Sequence, residues 1–343
     1  MMAQSLDLNL LWYILIGVLL TGYAVLDGFD LGVGTLHLFA KKDLDRRILM
    51  NSIGPVWDGN EVWLVTAGGA LFAAFPNAYA TAFSGFYLAF MLLLWALIFR
   101  AVALEFRSKQ PWPWWRQMWD VAFCVSSTLA ALLFGVAVGN MIQGLPIDAD
   151  GEYAGSFLGL LKPYPVLVGL FVVSLFATHG AVYLHMKTEG ELQQRVRGWA
   201  MRSYGVFVFL YVVTTAATLL LIPHATRNFH GFPWAWAVVV ITLAAIANIG
   251  RAMSKGNSLQ AFLSSSLTIA GLMFLFGMVL FPNLIISSLN PAWSLTAYSA
   301  ASSQKTLAIM AIIAGLGMPL VLIYTSVIYW IFRGKVKIDK MSY

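Results

Sequence analysis

The sequence predicts an all-α polytopic membrane protein, with about nine transmembrane helices in a single integral domain spanning 1–343. Three observations predict it. Of the 343 residues, 60% are hydrophobic and only 10% are charged, with a mean hydropathy of +0.77; soluble domains run at roughly 25% charged. Apolar runs long enough to cross a bilayer recur along the whole length. Lysine and arginine gather in alternate connectors, as the loops of a polytopic protein do. A membrane barrel is excluded, because its alternating strand pattern is absent and open sheet edges cannot stand in lipid. The net charge of +6 then reads as an orientation signal and not as a footprint for nucleic acid.

Taken in order, the predicted helices run over 8–39, 48–75, 77–106, 117–143, 163–188, 202–222, 232–252, 257–286 and 304–332. The first follows MMAQSLD, which has no basic n-region, and the apolar run has no small-residue cleavage site. It is therefore expected to remain as a membrane helix. The third helix leads into RSKQPWPWWRQMW, whose rings suit a membrane interface, as do Trp12, Tyr13, Trp234 and Trp236 at other helix ends. DADGEYAGSFLGLLKPYP joins the fourth helix to the fifth and, with the link around 287–303, is the longest polar connection. Cys124, the one cysteine, lies in an apolar run and has no partner for an intrachain disulfide.

Charge sets the orientation. Lys41, Lys42, Arg46 and Arg47 follow the first helix, and Arg107, Lys109 and Arg116 follow the third. Lys187, Arg195, Arg197 and Arg202 follow the fifth, Arg251 and Lys255 the seventh, and Arg333, Lys335, Lys337 and Lys340 the last. The other connectors hold only Lys162, Arg227 and Lys305, and one of them holds Asp148, Asp150 and Glu152. With nine spans every basic cluster falls on one side. The N-terminus is then outside and the C-terminus cytoplasmic.

Four acids stand out in the first two helices. Asp27 and Asp30 lie in TGYAVLDGFDLGVG, and Asp58 and Glu61 in NSIGPVWDGNEVW. One carboxylate at a helix centre costs ~2.5–3.5 kcal/mol on insertion scales, so four unneutralised ones would cost on the order of 10 kcal/mol. They must be protonated, paired or in contact with water. Both pairs lie ten to thirteen residues from the cytoplasmic end of their helix, ~15–20 Å deep at 1.5 Å per residue. Spacing of i,i+3 puts the members of each pair on one helix face. Like charges that close cannot both ionise cheaply at low dielectric, so at least one member of each pair is expected to hold its proton more tightly than a free carboxyl. Arg100 and Glu105, toward the cytoplasmic end of the third helix, are the candidate counter-charge and inlet carboxylate.

Small residues surround these acids: Gly28, Gly32 and Gly34 near the first pair, and Gly54, Gly59, Gly68 and Gly69 near the second. Such residues let helix backbones approach closely; Gly135-x-x-x-Gly139 repeats the spacing without acids. His37, His179 and His185 fall in the cytoplasmic halves of helices, and His224 and His230 in an outer connector. They form no inward-facing ligand pair, so the chain is expected to bind neither haem nor metal. A quinone tail or an ordinary lipid could lie in an apolar groove, at residues the sequence does not single out.

At these residues the chain resembles subunit II of the cytochrome bd-type quinol oxidases. The matching strings are LDGFDLGVG at 26–34, RRILMNSIGPVWDGNEVWLVTAGGALFAAFP at 46–76 and AFSGFYLAFMLLL at 82–94. FRAVALEFRSK at 99–109, MWD at 118–120, FGVAVGNMIQGLP at 134–146 and SSQKTL at 302–307 continue the match over nearly the whole length. The resemblance implies two four-helix bundles plus one helix, in a prokaryotic cytoplasmic (inner) membrane. It implies a partner, subunit I, that carries haems b and d, or a b-type haem in place of d, oxidises quinol and reduces dioxygen to water without pumping. Helices two, three, six and seven would face that partner, and small single-helix accessory subunits could join. Asp58 would belong to a proton route from the cytoplasm into subunit I, with Trp57, Asp30, Arg100 and Glu105 in or near the polar zone. Some relatives have histidine where Val56 stands here, and some have aspartate at Glu105. The short connectors between helices five and eight imply the compact form of the subunit.

A stand-alone proton- or sodium-coupled transporter would also bury carboxylates at mid-membrane. It should show broken helices, whereas the helices here read as mostly continuous, with Pro55 and Pro76 near ends. A scaffold for subunit I would differ only in whether the acids titrate.

Overall fold

We describe residues 6–338 of a computed structural model; the opening MMAQS and the terminal cation Lys340 fall outside the described residues. In lipid a backbone must satisfy its own hydrogen bonds, and the chain does so with helices. They are α1 Leu8–Leu36, α2 Asp43–Ile53, α3 Trp57–Ala74, α4 Pro76–Gly85, α5 Tyr87–Phe106 and α6 Pro113–Gln143. Then follow α7 Pro163–Lys187, α8 Gly190–Leu221, α9 Arg227–Gly231, α10 Ala235–Ser254, α11 Ser258–Leu280 and α12 Gln304–Ile331. Two short antiparallel strands, β1 Asn283–Ile285 and β2 Leu295–Thr296, sit in the last connector. The predicted helix 257–286 therefore stops short, at the residues just before Pro282.

Among the described residues eight helical segments, not nine, are long and apolar enough to cross a membrane. The difference is the predicted helix 48–75. Gly54-Pro55-Val56 interrupts it, since proline lacks an N–H and its ring clashes with the preceding turn, and α3 starts afresh at Trp57. With 18 residues α3 has roughly the length of a span, about 27 Å, but Asp58, Asn60 and Glu61 in its opening turns lower its apolarity. The predicted helix 77–106 bends at Phe86 into α4 and α5. There Gly85 leaves space for the Tyr153 ring, which lies 3.1 Å from where a Cβ would stand. The expected continuity thus fails around Pro55 and Phe86.

α1 is the organising element: it packs on α3, α6 and α7. One group of four comprises α1, α3, the bent α4–α5 and α6; the other comprises α7, α8, α10 and α11. α12 lies beside them against α1 and α3, with 6% of its apolar stretch buried against 72% for α7. The seam between the groups depends on glycine. A Cβ on Gly32 would overlap the Phe176 carbonyl, and one on Gly180 would stand 2.5 Å from the Gly32 carbonyl carbon. Gly59, Gly68 and Gly69 behave otherwise than expected: nothing among the described residues lies within 4 Å of their missing Cβ positions. They smooth the outward face of α3 and bring no two helices together among the described residues.

Candidate functional site

α1 and α3 run antiparallel, so residues late on one meet residues early on the other. Asp27 of α1 comes level with Glu61 of α3, and Asp30 with Asn60. Arg100 reaches in from α5. Its Nη2 donates to Asp27 Oδ1 at 2.7 Å and also to Glu61 Oε1. Asp27 and Arg100 are fully buried, while Glu61 keeps 24% of its side-chain surface. A guanidinium suits this position because its planar fork can serve two carboxylates at once. Arg100, the candidate counter-charge, thus forms ion pairs with Asp27 and Glu61.

Asp30 is held separately. Its Oδ2 accepts from Asn60 Nδ2 at 2.7 Å, and Asn60 Oδ1 accepts from the Tyr329 hydroxyl of α12 at 2.9 Å. Asn60 also donates to the Leu26 carbonyl at 3.1 Å. The amide is thus a bridge from the buried acid to the lone outer helix, a role the acid-centred analysis did not assign. Asp27 Oδ2, Asp30 Oδ1, Arg100 Nε and Nη1 and the Tyr23 hydroxyl are buried without a hydrogen-bond partner among the described residues.

The remaining predicted residues lie around this cluster. Asp58 is exposed on the outward face of α3, not buried with the others, and Trp57 is half-buried against the core of Ile53, Val56 and Tyr183. The i,i+3 spacing predicts one face for Asp58 and Glu61; in the structure Glu61 reaches Arg100 while Asp58 is exposed, and the spacing could not say which of the two the chain would cover. Glu105 is half-buried, five positions beyond Arg100 on α5, about 140° round the helix at 3.6 residues per turn. It does not join the buried cluster.

A second polar cluster sits at the end of the same bundle, where α1, α2, α5 and α6 meet. Asp120 Oδ1 contacts His37 Nε2 at 2.5 Å and accepts from Arg107 Nε at 2.6 Å; Oδ2 accepts from Arg46 Nη1 at 2.8 Å and Arg107 Nη2 at 3.2 Å. Arg107 also reaches Asp43 at 2.7 Å. The sequence shows Asp120 only within the MWD string, near a predicted helix start next to a basic connector, and nothing there assigns it a role. His179 is held by Ser265 at 2.7 Å and the Val25 carbonyl at 3.0 Å, His185 by Ser258 at 2.7 Å, and His224 by the Ile142 carbonyl at 2.9 Å. Among the described residues no three His, Cys, Asp or Glu side chains are grouped to hold a metal ion.

The sequence profile described as "Cytochrome bd terminal oxidase subunit II" matches residues 8–332. The chain is 41% identical to "Cytochrome bd-I ubiquinol oxidase subunit 2" of Escherichia coli (strain K12), with 96% of this chain and 95% of that protein covered. It is 38% identical to "Cytochrome bd ubiquinol oxidase subunit 2" of Bacillus subtilis (strain 168), covering 96% and 97%. The fold matches a chain in the structure of bd oxidase from Geobacillus thermodenitrificans with a TM-score of 0.76, 18% identity and coverage of 95% and 99%. An all-α membrane fold, matched end to end, carries the family's sequence over almost its whole length. The chain belongs to the cytochrome bd terminal oxidase subunit II family.

Proposed function

We propose that the chain is the haem-free second subunit of a respiratory quinol oxidase and that it conducts protons from the cytoplasm toward subunit I. The partner's haems would supply the redox chemistry, taking electrons from quinol to dioxygen, which consumes four protons for each dioxygen reduced to two waters. This chain's share is proton delivery. The observation that carries the proposal is the charge balance around Arg100: one guanidinium faces Asp27 and Glu61, with Asp30 beside them and Asp58 one turn before Glu61 on the outward face.

An unpaired buried polar atom costs about 1–3 kcal/mol. The five around Arg100 therefore favour a zone that exchanges protons or admits water over a sealed packing contact. Glu61, part-exposed, can pass a proton between the Arg100 cluster and Asp58. Asp58 then presents it to whatever covers the open face of α3, which carries Val62 and Val65 among its exposed residues and gains its smoothness from Gly59. Trp57 shields the start of that helix, and Glu105 stands nearer the basic end as an inlet.

Orientation follows from charge once α3 is taken across the membrane as a ninth span, which puts the basic ends of α1, α5, α7, α10 and α12 in the cytoplasm. A reporter active only in the cytoplasm should be silent when fused at Asp150; signal there would reverse the topology. The function itself is tested by purifying the intact complex gently and recording its visible spectrum and quinol-dependent oxygen uptake. Haem b and d bands with uptake are expected. A chain that purifies alone and catalyses cation-coupled transport would overturn the proposal.

A further inference from the structure

Between the last turn of α12, the end of α7 and the α2–α3 turn lies a cavity of about 600 Å³. Its wall carries Lys187, Arg333, Lys335 and Lys337, and no aspartate or glutamate among the described residues. The segment after α12 folds back over α7 to build this rim. Val336 N–H donates to the Lys187 carbonyl at 2.9 Å, Lys335 Nζ to the Thr188 carbonyl at 2.7 Å and Lys187 Nζ to the Phe332 carbonyl at 2.6 Å. The Val336 bond pins the backbone; each of the two lysine bonds uses one N–H of its ammonium, which fixes the group and leaves two donors free for a ligand.

The contrast with neighbouring cations is informative. Arg46 and Arg107 are answered by Asp120, Arg116 by Asp43 and Arg195 by Asp45. Among the described residues none of the four rim cations is in an ion pair. The pocket wall pushes the Lys335 amine below its ordinary value, and the nearby charge of Glu189 offsets only part of that. Beside the rim, the outward side of α12 is apolar, with Ile323, Val327, Trp330 and Ile331 all more than one-third exposed.

We propose that this cavity binds the phosphate of an anionic phospholipid, with the acyl chains laid along α12. Charge complementarity selects the ligand: among the described residues four cations line the wall with no carboxylate on it and only Glu189 nearby, which suits a net-negative headgroup, whereas a zwitterionic one brings its own cation against the rim. Inorganic phosphate shares the headgroup chemistry but has nothing to lay on α12. The proposal stands whether or not the Arg100 cluster conducts protons.

The test is native mass spectrometry of the delipidated oxidase complex titrated separately with dioleoylphosphatidylglycerol, dioleoylphosphatidylcholine and inorganic phosphate. Phosphatidylglycerol should bind tightest, and Lys335→Gln with Lys337→Gln should weaken it by about fivefold for each cation removed. Lys337→Gln alone removes a side chain with no hydrogen bond among the described residues, so it should show its share without disturbing the fold. Lys305→Gln, at the opposite end of α12, should leave binding unchanged. Equal binding of the two lipids, insensitivity to the double change, or inorganic phosphate binding as tightly as the phospholipid would overturn the proposal.

Discussion

The two polar clusters of the first bundle use the same side chains to opposite ends. At Asp120 both carboxylate oxygens are saturated: one meets His37 and Arg107, the other Arg46 and Arg107. Cations exceed acids there, and four elements are tied at one point. Around Arg100 acids exceed cations, Asp30 is held through a neutral amide, and oxygens of both Asp27 and Asp30 remain unpartnered among the described residues. A saturated acid has nothing to gain from a proton, so the Asp120 cluster suits holding helices together. An acid-rich, undersatisfied one suits carrying protons. Composition alone would have ranked these clusters alike; the satisfaction of each oxygen separates them.

Breaking the Arg100 cluster should have the largest effect on assembly. Arg100→Gln leaves Asp27 and Glu61 buried without their cation, a loss on the order of 3–5 kcal/mol for a buried pair. Haem-containing complex should fall below detection in membranes, and Arg100→Lys should restore part of it, because a point charge replaces the fork without its geometry. Wild-type yield from Arg100→Gln would mean that the acids are already neutral and need no counter-charge.

Asp120→Ala should come next. It leaves Arg107 half-answered by Asp43, so a smaller loss of about 2–4 kcal/mol is expected, read as a lower thermal midpoint of the purified complex. Turnover per haem should hold in whatever assembles. A fall in haem-normalised turnover matching that of relay-site variants would erase the contrast between the clusters.

Much of this was legible in the sequence. Apolar runs and basic connectors gave the helical membrane class, and of the acids singled out by spacing, Asp27, Asp30 and Glu61 gather around Arg100 while Asp58 stays outside. Three things were not legible. The break at Gly54-Pro55-Val56 hides inside a run whose mean hydropathy still suits a helix, so one expected span emerged as α2 and α3. Asn60 attracted no notice because an amide is cheap in hydropathy terms, although its place opposite Asp30 was implied by the antiparallel order. Tyr329 completes that bridge from a helix 269 residues away in sequence, a contact that no local pattern encodes. Asp58 shows a further limit: periodicity tells which residues share a face, but not whether the chain's own helices cover it.

That exposed position gives the most direct test of proton relay. Asp58→Asn keeps size and polarity while removing the titrating group, and a neutral amide is no harder to insert than an acid. Quinol-dependent oxygen uptake, normalised to haem, should be measured for wild type, Asp58→Asn and Asp58→Glu across pH. The relay account predicts normal assembly of both variants, turnover reduced at least ~10-fold in Asp58→Asn, a barrier increase of about 1.4 kcal/mol, and partial recovery in Asp58→Glu. Wild-type turnover in an assembled Asp58→Asn complex, with Asp58→Glu the more disturbed of the two, would contradict it and leave Asp58 as a packing residue.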